Sequence, residues 1–80
     1  MPEAYVIDAV RTPVGKRNGA LASVHPIDLG AHAFRGIFDR NDVDPAAVED
    51  AIVGCVDAIG GQAGNVGRLA WLAAGYPEEV

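Results

Sequence analysis

Apolar positions along the chain fall into two short β-branched runs and two stretches with helical spacing. The first run, Tyr5-Val6-Ile7-Asp8-Ala9-Val10, is closed by Thr12-Pro13 and Gly15, so it predicts a buried strand that ends in a turn. Gly15-Lys16-Arg17-Asn18-Gly19 follows, and its glycines and asparagine tolerate positive φ, which predicts a loop. A helix is expected from Pro26 to Arg40. Ile27, Ala31, Phe34 and Phe38 recur there at spacings of four, three and four, with Ile37 beside them. Pro26 suits the first helical position because its missing N–H would be unpaired there, and Asp28 in the first turn complements the helix dipole. Asp28, His32, Arg35 and Asp39 form the wet face, where Asp28 with His32 and Arg35 with Asp39 are expected to pair at i,i+4.

Asp44-Pro45 repeats the signal of a cap followed by proline and predicts a short helical turn through Ala46-Ala47-Val48-Glu49. Ala51-Ile52-Val53-Gly54-Cys55-Val56 is too short and too β-branched for a helix, so it predicts a second buried strand. Strand, helix and strand in that order make a βαβ unit, with parallel strands and a right-handed crossover. Beyond the glycine-rich turn Gly60-Gly61-Gln62-Ala63-Gly64, Asn65 can cap a helix that runs to Ala74 and is ended by Gly75 and Pro77. Val66, Leu69, Ala70, Leu72 and Ala73 point in most directions around this helix, and Arg68 is its only charge. A helix apolar nearly all round must be covered on several sides, and a two-stranded sheet is marginal in water. The pattern therefore reads as the opening part of an α/β layer, incomplete in 80 residues.

Composition narrows the class. At 80 residues and 8.3 kDa, with 50% hydrophobic and 21% charged positions, the chain holds one globular domain at most. Cys55 is the single cysteine, which excludes an internal disulfide, and with His25 and His32 it falls short of the four donors of a structural zinc. The uncharged stretch from Ala58 to Gly67 is far shorter than the roughly 18 residues a membrane span needs. Met1-Pro2-Glu3-Ala4 has no basic region ahead of an apolar core, so no secretory signal is expected and the cytoplasm is the expected compartment. A net charge of −5 argues against nucleic acid as partner, because phosphate neutralisation needs excess Lys and Arg. The charge is unevenly spread, at +1 over residues 1–40 and −6 over residues 41–80.

Each candidate site residue has a plainer explanation than chemistry. Cys55 lies mid-strand without a basic neighbour in sequence, so it is expected to be a packed, inert thiol. His32 is expected on the surface, and His25, just before Pro26, in a capping or loop role. The 60–64 turn matches neither G-x-G-x-x-G nor the P-loop spacing, so it is expected to be a tight connection and not a phosphate cradle. Arg11, Lys16 and Arg17 could attract an anion such as a nucleotide-bearing thioester, but solvated loop charges, with Arg11 tying the loop to the strand end, are the expectation. No catalytic, cofactor-binding or metal-binding residue is assigned within the chain.

Val10-Arg11-Thr12-Pro13-Val14-Gly15-Lys16, then Asp28-Leu29-Gly30-Ala31, Val53-Gly54-Cys55-Val56 and Gly64-Asn65-Val66-Gly67-Arg68-Leu69-Ala70 together resemble the amino-terminal end of a thiolase. The Gly-Lys-Arg-Asn-Gly loop is nearer to actinobacterial thiolases of steroid side-chain breakdown. The resemblance implies a five-layered αβαβα fold of two similar halves, with residues 1–80 as part of the N-terminal domain and no second domain among them. It also implies an acyltransferase that cleaves 3-ketoacyl-CoA with CoA, or runs the reverse condensation, through a cysteine acyl-enzyme. In the family that cysteine lies a short way beyond the point matching Val80, and the histidine, second cysteine and oxyanion holes lie in the second half. Cys55 does not match the nucleophile's motif, and Cys55-Val56-Asp57-Ala58 departs from the asparagine-containing stretch common in the family. Coenzyme A is implied as substrate with no other cofactor, and a homodimer, homotetramer or complementary chain as partner. Residues 1–80 alone are expected to be inactive. A small non-catalytic βαβ module that binds an anion or a protein is the alternative from another class, and a ketoacyl-synthase-type condensing enzyme the alternative within the fold.

Overall fold

The computed structural model describes residues 3–80. Its elements are helix α1 (Pro26–Arg40), a one-turn 3₁₀ helix at Pro45–Ala47, a second at Gly60–Gln62, and helix α2 (Val66–Ala73). α1 has the bounds its apolar spacing predicts. Its N-terminus is closed by His25, whose Nδ1 accepts from the Ile27 amide at 3.1 Å. This leaves one fewer unpaired donor in the first turn. At the other end the Asn41 side chain donates to the Ile37 carbonyl at 2.8 Å. Asp44 caps the 3₁₀ turn by accepting from the Ala46 amide at 2.9 Å. α2 stops one residue earlier than expected, at Ala73, and Gly75 takes φ +89° just beyond it.

α1 and α2 pack against each other, and the core lies at their crossing. Ala31, Ala70 and Trp71 are buried, and the backbones approach closely where Gly30 faces Ala70. A Cβ on Gly30 would stand 2.9 Å from that of Ala70, so the absence of a side chain sets the spacing here. Trp71 is the centre of an aromatic cluster, edge-on to Phe34 at 5.4 Å and to Phe38 at 5.7 Å, with Tyr76 at 5.0 Å. Such edge contacts add roughly 0.5–1.5 kcal/mol each beyond the area they bury. Arg35 donates to the Ala73 carbonyl at 3.0 Å and so closes the C-terminus of α2 from α1.

Two expectations differ from what the structure shows. The βαβ unit is unconfirmed, because residues 5–10 and 51–56 carry no strand and no ladder hydrogen bonds among the described residues. Val6, Ile7, Ile52 and Val56 are all exposed. The physical reason is that period and β-branching prepare a segment to pair, whereas a strand exists only once a neighbouring backbone accepts and donates along it. The wet-face ion pairs of α1 are also absent. Arg40 with Asp8, at 3.3 Å, is the one ion pair among the described residues, since Arg35 turns to the end of α2.

Cover is short overall. The accessible surface is 6334 Å², against about 4,600 Å² for a compact globule of this mass. The radius of gyration is 13.8 Å, where a compact chain of this length has about 12 Å. Leu69 and Leu72 stay exposed on α2, in keeping with a helix apolar on more sides than one neighbour can cover.

Candidate functional site

The densest polar construction is on α2. Asn65 precedes it in the left-handed region at φ +66°, and its side-chain oxygen accepts from the Arg68 amide at 3.2 Å. Arg68 then projects its half-buried side chain to the segment that follows the helix. Nη2 donates to the Glu78 carbonyl at 2.7 Å and Nη1 to the Val80 carbonyl at 2.9 Å. Trp71, three residues on and therefore on the same face, donates Nε1 to the Pro77 carbonyl at 2.7 Å. Three carbonyls within four residues are thus held by two side chains of one helix. A planar guanidinium that spans two carbonyls fixes direction as well as distance, which a single ammonium could not do.

A second polar junction ties the N-terminal segment to α1. Asp8 accepts from Asn41 Nδ2 at 2.7 Å, from the Ala9 amide at 2.8 Å and from Arg40 at 3.3 Å. The Asn41 bond above all, then the Ala9 amide, holds the Asp8 carboxyl below its ordinary range, with the Arg40 charge assisting and partial desolvation opposing. Burial in the aromatic cluster pushes the Tyr76 hydroxyl up, and nearby Asp39 adds to this while Arg35 opposes it.

The residues singled out from the sequence do not converge. Cys55 is exposed, with Sγ 3.6 Å from Gln62 Oε1, so the expected packed thiol is corrected: without a sheet around residues 51–56 nothing covers it. His25 is the cap described above, and His32 is exposed on α1. Arg11 donates to the adjacent Thr12 carbonyl at 3.1 Å, while Lys16 and Arg17 lie exposed in the loop. Gly61 packs its backbone against Pro26, where a Cβ would come within 3.1 Å of Cδ, so the 60–64 turn is a tight connection against α1. Among the described residues no three His, Cys, Asp or Glu side chains are grouped to hold a metal ion. An open groove of about 380 Å³ runs between the helices and Val53, walled by Leu29, Ala33, Phe34 and Val66. Its lining is apolar and suits packing more than chemistry. A lone charge on an otherwise apolar helix marks Arg68 itself in the sequence, but not its backbone-carbonyl partners.

Comparison with known proteins gives these elements a context. The family model described as "Thiolase, N-terminal domain" matches residues 4–80. Over all 80 residues the chain is 78% identical to the steroid 3-ketoacyl-CoA thiolase FadA6 of Mycobacterium tuberculosis, and covers 20% of that protein. It is 46% identical over 81 residues to a beta-ketoadipyl-CoA thiolase of Acinetobacter baylyi, again covering 20% of it. A 3-ketoacyl-CoA thiolase of Aliivibrio salmonicida is 38% identical over 82 residues, with 21% of its length covered. The chain therefore spans about a fifth of the length of these relatives. No solved structure matches it.

Proposed function

The chain belongs to the thiolase family, and from that premise we propose that the whole protein transfers acyl groups between 3-ketoacyl-CoA and CoA. A cysteine thiolate located beyond residue 80 attacks the 3-keto carbonyl, and the bond between the α- and β-carbons breaks. Protonation of the enolate released gives acetyl-CoA, while the shortened acyl group stays on the cysteine as a thioester. CoA thiol then attacks that thioester, taking the acyl group and returning the thiolate. Donors that stabilise the enolate and tetrahedral oxyanions lie outside residues 1–80, as does the histidine that lowers the cysteine's pKa. The reverse condensation runs through the same intermediates.

Residues 1–80 supply scaffold to this reaction. Segments 5–10 and 51–56 become strands once the rest of the sheet presents partners, and the apolar surface of α2 is covered by the remaining layers of a thiolase-like fold. The whole protein works in the cytoplasm as a homodimer or homotetramer with CoA as a substrate and no further cofactor. Identity of 78% to a steroid 3-ketoacyl-CoA thiolase, against 46% to a beta-ketoadipyl-CoA thiolase, carries the substrate class. The substrate is accordingly a steroid 3-ketoacyl-CoA.

CoA-dependent cleavage by the intact protein is the test, with a steroid 3-ketoacyl-CoA, β-ketoadipyl-CoA and acetoacetyl-CoA compared by kcat/KM. Preference for the steroid thioester is expected. Cleavage of none of the three would defeat the thiolase reading, and preference for the dicarboxylic substrate would defeat the substrate class alone.

A further inference from the structure

We infer that Arg68 is a positioning residue for the acyl-transfer step, acting through the segment that follows α2. The inference rests on the reading above that the nucleophilic cysteine follows residue 80. Its own support is the geometry at α2. Arg68 holds the Glu78 and Val80 carbonyls at 2.7 and 2.9 Å, and Trp71, from the same helix face, holds that of Pro77 at 2.7 Å. Among the described residues no other side-chain hydrogen bond reaches residues 77–80. The helix that sends out this clamp is itself fixed: Ala70 and Trp71 are buried against α1, Asn65 caps its start, and Arg35 holds the Ala73 carbonyl at its end.

Two consequences follow from the fork. Glu78 and Glu79 lie in a turn, and one guanidinium bonded to the carbonyls of residues 78 and 80 spans that turn, so the fork sets the heading of the backbone and not merely its distance from α2. A segment so aimed delivers whatever follows it at a defined angle to the α1–α2 pair. Reacting groups must sit within a few tenths of an ångström of their working geometry, and a displacement of about 1 Å at a remote position can lower a rate about 100-fold. Loss of the fork should therefore appear in the chemical step and not in substrate binding.

The experiment compares Arg68→Met and Arg68→Lys with the unaltered intact protein. Lysine keeps the charge and a stem of similar length, but its three N–H donors radiate from one nitrogen and lack the planar fork that fixes both carbonyls in direction. Expected are a fall in kcat of about 10- to 100-fold for R68M and a smaller fall for R68K, with KM for CoA and ketoacyl-CoA within about threefold of the unaltered value. The pH profile of the nucleophile's alkylation by iodoacetamide, followed by peptide mass spectrometry, should move upward as its surroundings loosen. Amide exchange at residues 78–80 should quicken in both variants while that of α1 stays unchanged. A folded R68M or R68K with unaltered kcat and alkylation profile would overturn the inference. So would failure of both variants to fold, which would make Arg68 a residue of the scaffold alone. An unaltered protein that cleaves no ketoacyl-CoA would defeat the functional reading instead, while the exchange data would still report whether Arg68 orders the segment.

Discussion

Asn41 stands between Asp8 and the end of α1, giving its amide nitrogen to the Asp8 carboxylate at 2.7 Å and to the Ile37 carbonyl at 2.8 Å. One side chain thereby closes the helix and anchors a segment 33 residues away in sequence. The neighbouring apolar side chains of that segment, Val6 and Ile7, are exposed, so attachment at this end is polar.

That arrangement predicts how Asp8 titrates. Its folded-state pKa lies below the ordinary value of 3.8, so the contact stabilises the fold at neutral pH, and this contribution is lost as pH falls through the lowered value. In carboxyl NMR titrations of the intact protein the Asp8 midpoint is expected below 3.8. Asn41→Ala should raise it more than Arg40→Ala, because the Asn41 hydrogen bond is the leading cause and the Arg40 charge a lesser one. Equal shifts from the two variants would contradict the assignment.

Trp71 sets the largest packing effect. It is 2% exposed, meets Phe34, Phe38 and Tyr76, and donates to Pro77. Trp71→Ala is expected to lower unfolding stability by about 3–5 kcal/mol, from lost burial and the cavity left behind. Trp71→Phe keeps most of the packing but leaves the Pro77 carbonyl without its donor, an effect of about 1–3 kcal/mol. Denaturant midpoints at equal m-value check both, and a Phe variant as unstable as the Ala variant would show that the hydrogen bond, not the packing, dominates.

A pair of glycines on α1 tests the helix crossing. Gly30→Ala places a Cβ 2.9 Å from that of Ala70 and should destabilise by about 1–3 kcal/mol through overpacking. Gly36→Ala meets nothing within 4 Å and should stabilise the helix by up to about 1 kcal/mol. Ala70→Gly in the Gly30→Ala background should restore part of the loss, and thermal unfolding of the set reads the coupling. Independent, additive effects at 30 and 70 would place the close approach elsewhere.

Local chemistry was legible and long-range pairing was not. The bounds of α1, the turn after Asp44 and the Asn65 cap follow from apolar spacing and capping side chains within a few residues. The lack of cover for α2 was legible too, because a helix with one charge has more apolar directions than its neighbours can shield. The strand expectations for 5–10 and 51–56 describe what those segments are suited to, yet pairing depends on a second backbone that local period does not specify. Arg35 shows the same limit: i,i+4 spacing offered Asp39, and a helix end 38 residues away took it instead. Of the polar contacts around α2, the Asn65 cap could be read from the sequence, while the partners of Arg68 and Trp71 could not, since backbone carbonyls leave no mark in the pattern.

Asn65 combines two demands that substitution can separate. Its φ of +66° lies in the left-handed region, disfavoured by about 1–2 kcal/mol for a residue with a Cβ and no local hydrogen bond, and its side chain caps α2 through the Arg68 amide. Asn65→Ala loses both features and should destabilise by about 2–3 kcal/mol. Asn65→Gly keeps the backbone geometry and loses only the cap, an effect of a few tenths of a kcal/mol to about 1 kcal/mol. Asn65→Asp retains the acceptor, tolerates the dihedral and adds a negative charge at the helix N-terminus, which should leave stability unchanged or raise it by about 0.3–1 kcal/mol at low ionic strength. The order Ala, Gly, Asp from least to most stable, with the Asp gain shrinking as salt is added, is expected from chemical unfolding of the intact protein. A Gly variant as unstable as the Ala variant would show that the cap alone matters and that the left-handed backbone carries no strain.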